Sequence, residues 1–455
     1  MHNLTQIDYL EHTYSPQLAS QLFAKIESQP WAMLLRSAAT DHPNSRFDIL
    51  VAKPKVTLET QGQQTKISRG KDILWSTADP FSLIEQYLAE HLPNMACDLD
   101  VPFIGGALGY FSYDLGRRVE SIPERAKRDI EAPDMAIGLY SWALIVDHKL
   151  EKAYWVGTDC RSARHWLLHC KAPEPLASFA LQSDWQSNTT EQDYHQKLAR
   201  IQDYLTEGDC YQINFAQRFD AQYQGSEWQA YQHLERTNQA PFSAFIRLAS
   251  HAVLSVSPER FVQLREQQIE TKPIKGTRPR SQDPVQDQAL KRDLMQAQKD
   301  QSENLMIVDL LRNDIGRVAA PGSVSVPHLF AIESFPAVHH MVSTITARLA
   351  PQQNATDLLR ACFPGGSITG APKVRAMAII EELEPHRRSV YCGSIGYLSR
   401  DGQLDTNIAI RTLISQQQRL YAWAGGGIVA DSQSELEYQE TFDKLGKILP
   451  VLSDI

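Results

Sequence analysis

Apolar and polar positions alternate along much of the chain, and this pattern predicts a strand-rich fold. Residues 253–262 carry apolar side chains at alternate positions, polar residues 265–268 form a turn, and 269–274 return, the pattern of a hairpin. Folding it about Glu266 and Gln267 sets Glu259 nearly opposite Ile274 and Lys275, within a register slip of one or two residues. Pro273 cannot donate to a ladder and Gly276 tolerates unusual backbone angles, so this strand is expected to end at a bulge or rim that aims Lys275 outward. The run 135–146, the polar residues Asp147, His148 and Lys149, and the run 150–156 predict a second hairpin. Residues 391–399, a turn at Asp401 and Gly402, and 404–415 predict a third, followed through 416–418 by a strand at 419–424. Folding about Gln417 would put Arg411 across from Trp423, beside Gly425, Gly426 and Gly427. WAMLLRSA and SRFDILVAKP read as strands around a polar turn at 41–44, with Ser37 taken as a structural strand residue.

Other segments carry the helical period. Ser15 and Pro16 begin a helix with Leu18, Leu22 and Ile26 on one face, closed by Pro30. Thr190 and Asp193 resemble a capping box ahead of the stripe Tyr194, Leu198, Ile201 and Leu205. Residues 287–313 read as one long helical region, with Glu303, Ile307, Leu310 and Asp314 along one face. Asp431 or Ser432 starts a last helix, on which Glu437, Glu440 and Lys444 share a face. In CYQINFAQRF, Tyr211, Ile213 and Phe215 take one side of a strand and Gln212 and Asn214 the other, so Gln212 can face a polar cavity. A strand at 335–349 carries His339 and His340, which must point to opposite faces. Between 171 and 189 the composition shifts to Pro, Ser, Ala and Gln without clear period, marking a boundary between a sheet-rich region 1–185 and a region 190–450.

Composition narrows the class. The chain has 455 residues and a formal charge of −9, so it lacks the basic footprint of a nucleic-acid binder. Its six cysteines include no CxxC pair, which leaves neither a zinc site nor a disulfide framework indicated. The N-terminus lacks a leader pattern and the run 135–146 is too short to span a bilayer, so a cytoplasmic protein with no membrane or nucleic-acid partner is expected. GGALGYFSYDLG lacks the GxGxxG spacing of a dinucleotide site. FPGGSITGAPKVRAM has two glycines at P-loop spacing, but Ala371-Pro372-Lys373 replaces the required GK[ST] and Pro372 removes an amide donor.

Several residues could carry chemistry, each with a plainer reading beside it. Glu259 and Lys275 could be an acid and an amine in one cleft, or a solvated pair. Arg411 with the glycine run suits a carboxylate, or is a surface arginine beside a tight bend. Glu437, Glu440 and Glu303 could supply oxygen ligands for magnesium, or the helix face could simply be solvated.

PIKGTRPR, with SPERF before it and SENLMIVDLLRND after it, resembles the chorismate-utilising enzymes, which include anthranilate, aminodeoxychorismate, isochorismate and salicylate synthases. Lysine in PIKGT resembles the aminodeoxychorismate synthase members, whereas anthranilate synthases resemble PIAGT. The resemblance is strong from about Thr190 to Leu449 and weaker before it. It implies an α+β fold of two face-packed antiparallel β-sheets with helices outside, shared by both halves of the chain. It also implies amination of chorismate to 4-amino-4-deoxychorismate, in the 4-aminobenzoate branch of folate biosynthesis. Lys275 would be the nucleophile at ring carbon 2 and Glu259 the acid for the hydroxyl at carbon 4. Mg2+ would be held by Glu303 and Glu440, with Glu437 supporting. Arg411, Gly425, Gly426 and Gly427 would hold the enolpyruvyl carboxylate, and His340 would stand beside the ring. Thr369, Gly370, Gln212, Tyr391 and Lys444 are further candidates for substrate contact. Gln212 stands where isochorismate synthases have a water-activating lysine, which argues against water as nucleophile. The LLxS region, with Ser37, lines a pocket that some members use for tryptophan. No glutaminase cysteine-histidine signature is evident, so ammonia is expected from a separate glutamine amidotransferase subunit in a heterodimer. The rivals are an anthranilate synthase component I, disfavoured by Lys275, and a non-catalytic chorismate-binding subunit.

Overall fold

The computed structural model describes residues 5–38, 45–174, 177–335 and 338–455; the turn expected at 41–44 lies outside them. Among these residues two large sheets dominate, one of 12 strands and one of 13, with a two-stranded parallel pair apart from both. Both large sheets are antiparallel throughout. The core between them draws Leu58, Leu108 and Ile137 from one sheet and Met33, Ile145, Ile246 and Val253 from the other, so the sheets pack face to face. The outer face of the larger sheet is covered in turn: Phe245, Leu254 and Leu413 pack against Phe23, Trp228, Leu234 and Leu445 of surrounding helices. Strands buried on both faces have no solvent side to keep polar, which is why 135–146 reads as a nearly continuous apolar run rather than an alternating one.

The two parts of the chain interleave. In the 12-stranded sheet Gly106–Phe111 pairs with Ser394–Ser399, and in the 13-stranded sheet Met33–Arg36 pairs with Phe242–Arg247. The connecting stretch is tied down as well, because Ala180–Leu181 and Gln186–Ser187 both add to the long strand Gln212–Gln224.

The chain changes sheet where the sequence pattern runs on. The apolar run 135–146 is two strands, Met135–Tyr140 in one sheet and Trp142–Asp147 in the other, broken at Ser141. The strand expected at 253–262 is likewise split into His251–Ser257 and Arg260–Arg265, with Pro258 and Glu259 at the passage. The strand expected at 404–415 becomes Leu404–Asn407 and Thr412–Gln416, and residues 408–411 make the passage. The last two passages are stitched together: Ile408 N donates to Glu259 O at 3.0 Å, and Ser257 Oγ donates to Ile408 O at 2.6 Å. Three other expectations change. The long helical region divides at Ala297 into Pro284–Gln296 and Gln298–Gly316. The helix expected from Asp431 or Ser432 begins at Ser434, after Gln433, because Ser432 turns its hydroxyl to Glu437, and a short helix Leu449–Ser453 follows it. The N-terminal helix is shorter than its period suggested, Leu18–Phe23, although Ile26 remains buried.

Candidate functional site

The stitched passages open onto a large cavity whose lining includes Glu259, Lys275, Glu303, His340, Tyr391 and Arg411. Its far wall is built by Arg419–Ile428 and the helix Ser434–Leu445.

Lys275 reaches the cavity through a bulge. The ladder between Ile274–Pro279 and Val338–Arg348 pairs Ile274 with Val342 and then Thr277 with His340, leaving one extra residue over Lys275 and Gly276. Gly276 has φ +81°, and a Cβ there would lie 2.8 Å from Asp300 Cγ, so the bulge requires glycine. The strand therefore continues past Lys275 rather than ending there. Its Nζ lies 3.7 Å from Glu303 Oε2.

Hairpin pairing on the other side is as expected, with Arg265 opposite Gln268 around Glu266 and Gln267, both at positive φ. The pairing stops at Gln263, and Glu259 enters the cavity from the sheet passage instead. Burial pushes its carboxyl up to about 7, although Lys275, Lys444, a hydrogen bond from Ser367 and Arg411 all favour the ionised form. Ser367 was not foreseen; it lies in the same glycine-rich segment as Thr369 and Gly370.

Arg411 sits in the last passage at φ +49°. Its guanidinium is largely buried, lines the cavity and has no hydrogen bond or ion pair among the described residues. Such an uncompensated cation suits an anionic ligand. The Gln417-Gln418 turn pairs Leu413 with Ala422, one residue out of the register expected for Arg411. The glycines do not form a bend. They extend within Arg419–Ile428, opposite Ala216, Phe215 and Asn214, and what they supply is room. A Cβ on Gly426 would stand 3.1 Å from Glu437 Oε2 and 3.3 Å from Glu440 Oε1. One on Gly427 would stand 2.3 Å from Gln212 Nε2 and 3.3 Å from Lys275 Nζ. Lys444 Nζ donates to Gly425 O at 2.8 Å and pairs with Glu440 at 2.5 Å.

Glu303, Glu437 and Glu440 thus face one cavity, Glu437 also accepting from Ser432 Oγ at 2.6 Å. Among the described residues no three of them already form a closed coordination group. Oxygen donors converging over a glycine still suit magnesium, which takes one or two protein carboxylates and completes its shell with water and substrate oxygens.

His340 lines the cavity, with Thr277 Oγ1 2.8 Å from its Nδ1. Burial and then Arg411 lower it to about 4, which leaves the ring neutral at neutral pH. His339 turns the other way, its ring nitrogens on Ser334 and Asp287. Tyr391 lines the cavity and stacks on Trp423 at 6.0 Å. Gln212 is fully buried and neither side-chain polar atom has a hydrogen-bond partner among the described residues. Tyr211, expected on the buried face, is 70 % exposed because it precedes the strand. Thr369 spends its hydroxyl on the Gly365 carbonyl at 3.0 Å. Gly370 packs on the Gln212 backbone, so neighbouring Ser367 and Ile368 line the cavity instead. Ser37 is buried at a separate, smaller pocket with Leu35 and Phe47, its hydroxyl donating to Phe47 O.

A family profile described as chorismate binding enzyme matches residues 32–450. The aminodeoxychorismate synthase component 1 of Klebsiella aerogenes is 56% identical over 436 residues, covering 96% of this chain and 97% of the relative. That of Escherichia coli K12 is 55% identical over 430 residues, covering 94% and 95%. Among solved structures, anthranilate synthase component I from Streptococcus pneumoniae superposes with a TM-score of 0.78 at 31% identity, covering 90% of this chain and 93% of that one.

Proposed function

The chain belongs to the chorismate-binding enzyme family, and we propose that within it this protein converts chorismate and ammonia to 4-amino-4-deoxychorismate. The observation that carries this reading is the amine of Lys275 in the same cavity as a buried, protonatable Glu259. An anthranilate-type member would need no amine there.

Chorismate brings two carboxylates. Arg411 takes the enolpyruvyl carboxylate, and Glu303 and Glu440, supported by Glu437, would hold magnesium. When bound, the metal supplies positive charge against the ring carboxylate. Tyr391, neutral His340 and Lys444 line the remaining space around the substrate.

The Lys275 nitrogen attacks ring carbon 2, both conjugated ring double bonds shift (from carbons 1–2 and 5–6 to carbons 1–6 and 4–5), and the bond from carbon 4 to its hydroxyl breaks. Glu259 gives that oxygen its proton, so water leaves and the carboxylate remains. Ammonia then forms a bond to carbon 4, both double bonds shift back, and the bond from carbon 2 to Lys275 breaks. The new ammonium group returns a proton to Glu259. One ammonia enters and one water leaves, with the enolpyruvyl group retained. Gln212, neutral and without a proton to take, offers no base to activate water. The product fits the 4-aminobenzoate branch of folate biosynthesis.

Ammonia comes from a separate glutamine amidotransferase, and the pair works as a heterodimer in the cytoplasm. The designation component 1 of its relatives supports a second subunit. The cysteines offer no glutaminase nucleophile at the cavity, and burial pushes Cys362 and Cys392 up to about 12. Among the described residues no helix is long and apolar enough to cross a membrane.

Purified chain incubated with chorismate, magnesium and an ammonium salt should form 4-amino-4-deoxychorismate, identified by chromatography against a standard. Formation of anthranilate, or no turnover, would refute the assignment.

A further inference from the structure

Asn214 stands two residues after Gln212 on Gln212–Gln224, so both carboxamides face the same side of the strand. Its main chain is fully committed: N donates to Thr369 O at 2.9 Å, and O accepts from Arg388 Nη2 at 2.6 Å. Arg388 is itself buried and paired with Glu384 at 2.6 Å, so Asn214 hangs from a fixed support. The residue opposite it is Gly427, which has no side chain to cover it. The point a Gly427 Cβ would occupy lies 3.3 Å from Lys275 Nζ. Opposed Cβ positions in such a ladder are about 4.5–5.5 Å apart. The Asn214 carboxamide therefore reaches the surroundings of the Lys275 amine and lines the same cavity.

Its Oδ1 is nevertheless buried without a hydrogen-bond partner among the described residues. Buried acceptors are rarely left unpaired, and one aimed into a cavity calls for a donor that arrives with the ligands. Three donors take part in the proposed reaction, on which this inference rests. The departing hydroxyl belongs to Glu259, and the Lys275 amine is placed by Glu303. Ammonia remains. A carboxamide oxygen accepts from ammonia without a charge of its own; a carboxylate in its place would hold ammonium, which has no lone pair to attack with. We propose that Asn214 is a positioning residue whose Oδ1 holds ammonia beside the Lys275 adduct for attack on carbon 4.

The test measures chorismate and ammonium KM separately on the full chain with magnesium. Asn214→Leu keeps the approximate volume and removes the acceptor, so it should raise the ammonium KM by about tenfold or more while leaving the chorismate KM within about twofold. Asn214→Asp, which keeps the shape, should lower kcat by about tenfold without raising the ammonium KM, because it retains ammonium instead of ammonia. An Asn214→Leu enzyme with an unchanged ammonium KM, or with both KM values raised together, would overturn the proposal. So would unaltered kinetics of Asn214→Asp, which decides the matter if the leucine variant does not fold. Failure of the wild-type chain to aminate chorismate at all would instead sink the underlying reaction assignment, and this role with it.

Discussion

A glutamate in water is ionised at neutral pH, but burial pushes the Glu259 carboxyl up to about 7 against the pull of the cations around it. The form the reaction uses is the protonated one. Below that value the acid is available, and above it the group is ionised, so turnover should be lost as pH rises through 7. At constant free ammonia, kcat should fall roughly tenfold per pH unit on the alkaline side. Glu259→Gln should lower kcat by about a hundredfold or more and remove that limb. An alkaline limb that persists in Glu259→Gln would assign it to another group. The motif pointed to Glu259 and Lys275, but hairpin register did not join them, since the pairing stops at Gln263 and Glu259 reaches the cavity from the sheet passage. The sequence did not point to Ser367 or Asn214, since a small polar residue in a loop or strand looks the same whether its oxygen meets solvent, backbone or a ligand. Thr369 illustrates the reverse error, its hydroxyl being used up by a carbonyl three to four residues back.

At the scale of elements, the glycine run acts through absent volume. Gly427→Ala places a methyl group against Gln212 Nε2 and Lys275 Nζ, both flexible ends, so the fold should survive. The lysine would be displaced, and kcat should drop by about tenfold or more with little change in melting temperature. A melting temperature lowered in step with activity would mean that the glycine serves packing instead. Strand boundaries were less legible than strand identities. The runs 135–146, 253–262 and 404–415 all keep their apolar pattern through a change of sheet, because the strands on both sides of the break face the same shared core. Pro258 was the clue available, as a proline interrupts a ladder. No residue at Ser141 or Ile408 gives an equivalent sign. The division of 287–313 at Ala297 is similarly silent, since alanine favours the helix it ends.

For the whole molecule, the composition shift at 171–189 divides the sequence but does not separate independent sheets. Ser394–Ser399 leans on Gly106–Phe111, and Phe242–Arg247 on Met33–Arg36, so a fragment starting at 190 would leave both sheets with long unpaired apolar edges. Residues 190–450 expressed alone should aggregate or lack a cooperative melt by near-ultraviolet circular dichroism, and co-expression with 1–189 should restore solubility and turnover. A cooperative transition in the isolated fragment would show that it folds by itself. The cavity owes its position to the same interleaving, because it opens where two stitched passages bring an acid and an arginine out between the sheets.

Nucleophilic attack by Lys275 is the central step of the proposed reaction, and trapping tests it most directly. Full-length protein mixed with chorismate and magnesium, without ammonia, should be acid-quenched, digested and analysed by mass spectrometry. The peptide containing Lys275 should gain the mass of chorismate less one water, and the gain should vanish when ammonia is added before the quench. No adduct on that peptide, together with near-normal amination by Lys275→Ala, would contradict the covalent route and leave the lysine an electrostatic role at most.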